Sequence, residues 1–298
     1  MTPAPTVAAR RRGGAALARG ASLAGVLPFV LYVAVFLGIP LATVVAGAFR
    51  DGTGAFTTAN VRASVTEPQY VDAFVQSLWL ATWTSAVGAV FGVWLAYAVV
   101  TAPEHSALRR IVATASGVLA YFGGVPLAFA FIAALGQTGL ATQFLADAGV
   151  DLYEGGFRID SMTGIGLAYV YFQVPLMVIL ITPALAGLRP QWREAAENLG
   201  ASAWAYWRHV GIPVLTPAVA GATLLLFGNA FAAYATALAL VNGTIPLVPS
   251  QIQSVLGGNV LVGRENVGLA LGLDMVLVIA VLMVGYALLQ RRASRWLR

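Results

Sequence analysis

Long apolar stretches alternate with short polar ones along nearly the whole chain, and this rhythm sets the expected architecture. Six apolar runs occur, at 23–49, 78–100, 111–135, 164–188, 217–241 and 267–289. A helix needs about 20 apolar residues to cross the hydrocarbon core, so each run can span it, the longer ones with tilt. The pattern predicts an all-α integral membrane protein with six transmembrane helices. The longest connections, after the first, third and fourth runs, have 28 residues and leave no room for a soluble domain. The expected division is an arginine-rich tail over 1–20, a first transmembrane helix and external loop over 21–71, a membrane domain over 72–290 and a basic tail over 291–298. Arg10, Arg11, Arg12 and Arg19 before an apolar run imitate a secretory signal. That run has 27 residues, against about 7–15 for a signal core, so it is read as an uncleaved first helix.

Composition narrows the class. Of 298 residues, 59% are hydrophobic and 10% charged, whereas soluble domains carry about a quarter charged residues. Cysteine is absent, which excludes disulfides, thiol catalysis and cysteine-ligated metals. His105 and His209 both fall between apolar runs, so no metal site is expected. All seventeen basic residues are arginines, and their distribution orients the chain. With both termini cytoplasmic, only Arg50, Arg62, Arg158 and Arg264 lie outside and the other thirteen inside, as the positive-inside bias requires. The net charge of +5 then reflects topology, and no nucleic-acid partner is implied. The outer loops hold eight acids, among them Asp51, Glu67 and Asp160. These read either as a solvated surface or as an attractor for a cationic ligand or a basic docking patch.

One polar island, 189–213, interrupts the membrane pattern on the cytoplasmic side. Pro190 suits a first helical turn, Gln191 to Leu199 are mostly good helix formers, and Gly200 can take the positive φ of a helix end. Ser202 fits an N-cap for a second short helix over 203–209, which Pro213 should stop. Trp192, Trp204, Tyr206 and Trp207 suit the headgroup zone, while Glu194, Glu197 and Arg208 should face the cytosol. From the residues alone this is an interfacial helix that anchors the loop, or one that meets a partner.

The island resembles the signature loop of permease subunits in binding-protein-dependent ABC importers of type I. There Glu-Ala-Ala is followed by three residues, Gly, nine residues and Ile-x-Leu-Pro. This chain has Glu194-Ala195-Ala196, Gly200 and Val210-Gly211-Ile212-Pro213, with valine for isoleucine and isoleucine for leucine. The resemblance covers about 70–290 and implies a coupling helix between transmembrane helices four and five, seated in a groove on a cytoplasmic ATPase. Glu194 and Gly200 would carry the contact, Ala195 and Ala196 would allow close approach, and Val210, Ile212 and Pro213 would complete the loop. It further implies two ATPase copies, a second permease (a heterodimer, with a homodimer open) and an extracytoplasmic binding protein. The subunit would be non-catalytic and bind no cofactor, with ATP and Mg on the ATPase. It would sit multi-pass in a bacterial inner membrane. The length and single motif copy look most like the spermidine/putrescine group, whose relatives carry polyamines, ferric iron, thiamine or phosphonates. The acidic outside and Asp274 lean toward a polyamine or related cation.

Polar residues inside the apolar runs are the candidates for a translocation path. Asp274 lies seven residues into the last run, about 10 Å from its outer end. It either faces a cavity or bonds to a neighbouring helix. Asn229, Tyr234 and Gln173 are further path candidates, with helix-joining as the competing role. Pro126, Pro175 and Pro183 are candidate kinks. Asn242-Gly243-Thr244 matches a glycosylation sequon and is set aside for an apparently bacterial chain. Two other classes fit poorly. An intramembrane enzyme needs a nucleophile with a histidine at membrane depth, or a metal cluster. An ion-gradient transporter would show two halves with interrupted helices and midplane ionisable groups, and would leave the spaced motif unexplained.

Overall fold

The computed structural model describes residues 26–103, 105–241, 243–257 and 264–294. The arginines expected in the N-terminal tail, Asn242 of the sequon, and Arg295 and Arg298 lie outside these. The described chain is almost wholly helical; its only β feature is an isolated bridge between Arg50 and Phe56. Among the described residues, six helical segments are long and apolar enough to cross a membrane, so the chain is a multi-pass membrane protein.

The first is α1 (Val26–Ala48), whose large apolar side chains are exposed along most of its length. A short outer helix, α2 (Ala59–Thr66), follows, then the long α3 (Pro68–Thr101). Pro68 opens α3 at the first turn, where its missing N–H costs nothing. Next come α4 (Ala107–Leu119), α5 (Gly124–Leu135), α6 (Leu140–Asp147) and α7 (Met162–Ala186). Ser106 and Ser161 cap α4 and α7 by accepting the Arg109 and Gly164 N–H groups. The polar island gives α8 (Pro190–Asn198) and α9 (Ala203–Tyr206), and the membrane resumes with α10 (Ile212–Ala232). Then follow α11 (Ala235–Val241), α12 (Val248–Leu256) and α13 (Glu265–Ser294).

The core is the junction of α3, α7 and α10. One face of α3 is small: Ala81, Ser85, Gly88, Ala89, Gly92 and Ala96 are all buried. A Cβ at Gly88 would stand 2.8 Å from that of Gln173, and one at Gly92 would run into Met177. Lipid supplies no hydrophobic drive between helices, so close backbone approach through small residues is what dispersion rewards. Two apolar clusters lie along this junction, one around Tyr169 and Phe231, the other around Met177 and Leu226.

Three expectations about the spans need correction. The run 111–135 is two helices, parted at Ala120–Gly123, and the third candidate crossing is Gly124–Asp147. Gly124 takes φ +73°, a conformation that ends α-helical continuity and suits glycine. The run 217–241 also breaks, where Ala233 goes extended between α10 and α11. Pro213, finally, stops nothing. Helix runs from Ala203 through a π turn, Trp207–Gly211, into α10 with Pro213 in its first turn. In the π turn the Ile212 N–H reaches back to the Trp207 carbonyl, a wider loop that brings the chain to Pro213 without a helix end.

Candidate functional site

The loop between the fourth and fifth spans is built as an arm. Arg189 leaves α7 in an extended conformation and Pro190 starts α8. Asn198 ends it, and Gly200 at φ +77° turns the chain. The Gly200 N–H bonds to the Glu197 carbonyl and the Ala201 N–H to that of Ala196, both at 2.9 Å, a Schellman bend. Ser202 caps α9 as expected, its Oγ accepting the Ala205 N–H at 3.2 Å.

No residue of α8 is buried. Glu194 and Ala195 are exposed and Ala196 half-buried, while Leu199 beside the bend is 88% exposed. Arg193 pairs with Glu197 one turn on, at 2.9 Å. Hydrogen bonding to that carboxylate raises the guanidinium pKa. The spaced motif divides in space. Glu194 to Gly200 ride on the exposed arm, whereas Val210, Ile212 and Pro213 sit at its root in the π turn and the first turn of α10. There Gly211 is buried.

The four intramembrane candidates separate into three places. Gln173 is fully buried between α3 and α10, its amide 2.8 Å from the Thr84 hydroxyl. With the amide turned over, it also meets the Leu226 carbonyl and the Ser85 N–H. It ties three helices together and meets no opening. Asp274 on α13 accepts a 2.6 Å bond from the Ser64 hydroxyl of α2. It also edges a mostly apolar groove of about 740 Å³ with Phe74, Leu78, Phe227 and Val278, to which Ser64 and Thr82 add hydroxyls. Asn229 and Tyr234 do come together, in a hollow of about 370 Å³ with Tyr121, Phe172 and the backbone of both helix breaks.

That hollow exists because the two breaks are stitched side by side. The Thr236 hydroxyl accepts the Gly124 N–H at 2.9 Å and lies 3.2 Å from the Gly124 carbonyl. The buried Tyr169 hydroxyl donates to the Ala233 carbonyl at 2.8 Å. Irregular backbone at membrane depth persists only where protein or a water-filled cavity satisfies it. Sequence reading missed Tyr169, Thr236 and Gly124. The Gly123-Gly124 pair ahead of Pro126 was the available signal for the last, and nothing marked the other two.

No family model matches the chain. A ferric transport system permease protein of Actinobacillus pleuropneumoniae is 25% identical over 248 residues, 80% of this chain and 34% of that protein. The Escherichia coli sulfate transport system permease protein is 27% identical over 203 residues, 66% of this chain and 67% of its own. The chain is related to the permease subunits of binding-protein-dependent ABC importers.

Like its bacterial permease relatives, it is a multi-pass protein of the inner membrane. A crystal structure of a bacterial ABC transporter that imports the acidic polysaccharide alginate shares the permease fold. The match has a TM-score of 0.75 and 18% identity, over 94% of this chain and 99% of that one. The chain spans 37% of the length of a ferric permease relative from Haemophilus influenzae and 60% of a sulfate one from Chlorokybus atmophyticus. These relatives are assigned to ferric iron and sulfate, and one further match, 30% identical over 115 residues, to thiamine. The polyamine expectation gains no support from them.

Proposed function

We propose that this chain is the permease subunit of an importer in which a separate ATPase drives a small solute through the membrane. The observation that carries the reading is α8. A nine-residue helix with no buried residue, fixed by a Schellman bend, bears the Glu-Ala-Ala and glycine of the importer loop. Small side chains at exposed Ala195 and half-buried Ala196 suit seating in a groove. The arm would be cytoplasmic, as the arginine distribution favours. Two ATPase copies, a second permease and an extracytoplasmic binding protein would complete the assembly.

In this reading ATP binding by the ATPases draws the arms together and hydrolysis releases them, while the hollow at Asn229 and Tyr234 lies on the solute's path. The groove edged by Asp274 is a second candidate face of that path. The proposed solute is of the kind its relatives' names give: ferric iron, sulfate or thiamine.

The test compares the wild-type chain with Glu194→Ala and Gly200→Asp, each co-expressed with candidate ATPase and permease subunits from the same genome. Both variants are expected to insert normally and to lose ATPase recruitment. Normal recruitment by both would reduce the arm to an interfacial anchor. Uptake of radiolabelled ferric iron, sulfate and thiamine by cells lacking and regaining the chain then selects the solute.

A further inference from the structure

The arm has to be joined to the membrane helices if a displacement of α8 is to reach them, and its root is the weakest-looking part of the helix. Helix hydrogen bonding runs from Ala203 to Ala232, but through the π turn. The Ile212 N–H reaches the Trp207 carbonyl, and Pro213 has no N–H to give. Such turns are where helices bend. Left to its backbone, the arm would swivel there.

Trp207 occupies this point. Its ring meets Tyr97 of α3 edge-on, with centroids 5.4 Å apart at 79°. It also packs on the inner apolar cluster of Met177, Leu185 and Leu215. Gly211, one turn on, lies directly beneath the indole, and a Cβ there would run into the ring. The π turn, the glycine and the tyrosine therefore form one socket for one aromatic side chain. Elsewhere on the arm α8 has no buried residue, and the buried side chain of α9, Tyr206, stands edge-on to the same indole with centroids 5.8 Å apart.

We propose that Trp207, seated on Tyr97 and Gly211, is a positioning residue that makes α8, α9 and α10 move as one lever. Movement of the arm then becomes movement of the helix that carries Asn229 to the hollow. The proposal rests on the coupling reading only for what moves the arm; the rigidity of the joint stands or falls by itself.

Because the chain has no cysteine, spin labels can be placed at will. Labels at Asn198→Cys and Leu225→Cys, both exposed positions, report the distance between arm and α10 in the full chain in nanodiscs. The wild-type joint is expected to give one narrow distance distribution. Trp207→Leu should broaden it and Trp207→Phe should restore it. In the assembled transporter, Trp207→Leu should still recruit the ATPase and keep its basal hydrolysis. Stimulation of hydrolysis by the loaded binding protein should fall about tenfold, within the usual range of coupling free energies. An unchanged distribution with full stimulation in Trp207→Leu overturns the proposal. Should that variant fail to insert, Tyr97→Ala makes the same test from the other side of the socket without touching the arm. Normal ATPase recruitment by both Glu194→Ala and Gly200→Asp would sink the coupling reading alone, and the label distances would still judge the joint.

Discussion

Ser64 and Asp274 show how a residue's role depends on what the fold sets opposite it. The sequence marks Asp274 as an acid in an apolar run and leaves its partner open. The partner is a serine 210 positions away, on an outer helix that no hydrophobic pattern singles out. A hydrogen bond between membrane helices contributes about 0.6 kcal/mol on average and up to about 1.7. Ser64→Ala and Asp274→Ala should therefore each lower thermal stability in detergent, and the double variant should lose no more than the worse single one. Strict additivity would show that the two groups are not coupled. Gly92 makes a packing prediction at the same scale. Val at this position would force apart α3 and α7, and overpacking costs about 1–3 kcal/mol. A clear drop in melting temperature is expected, with Gly38→Val, which meets open space, as the neutral control. Gln173 was legible as a polar intramembrane residue, but its burial against Thr84 and Leu226 required the packing of three helices.

At the scale of elements, hydropathy shows that the chain crosses the membrane and says little about where a crossing breaks. The number of crossings was legible from the length of the apolar runs, but the third lies at Gly124–Asp147 rather than 111–135 and the fifth at Ala203–Ala232 rather than 217–241. The break at Ala233 was not legible, because an extended alanine in an apolar run leaves no mark on the pattern, whereas the Gly123-Gly124 pair was a signal for the other. The arm was the best-read element, since Pro190, Gly200 and Ser202 each impose a local geometry that tertiary packing did not override. Pro213 was misread because a proline inside a polar-to-apolar transition suits a helix end as well as a first turn. The stitch between the breaks carries its own prediction. Thr236→Val keeps shape but leaves the half-buried Gly124 N–H without its partner, a loss below the ~1–3 kcal/mol of a fully buried group. Hydrogen exchange should quicken at Gly124 and the start of α5 while α3 and α7 stay protected. Equal protection in the variant would mean the breaks are held by other contacts.

For the whole molecule, the described helices form one bundle with two departures from it: an apolar α1 exposed over most of its length and a polar arm with no buried residue. The sequence showed the arm's motif, while the hollow between the broken helices appears only when the third and fifth spans are placed side by side. Relatedness to ferric and sulfate permeases leaves the arm's partner as the point on which the functional reading turns. The most direct measurement is a photo-crosslinker placed at Leu199, on the arm, and at Phe56, in the loop expected outside, both broadly exposed. Irradiation of membranes from the native host should join Leu199 to an ATP-binding subunit and leave Phe56 unjoined to it. Absence of that subunit from the Leu199 products, or its capture at Phe56, would contradict the coupling arm and its cytoplasmic placement.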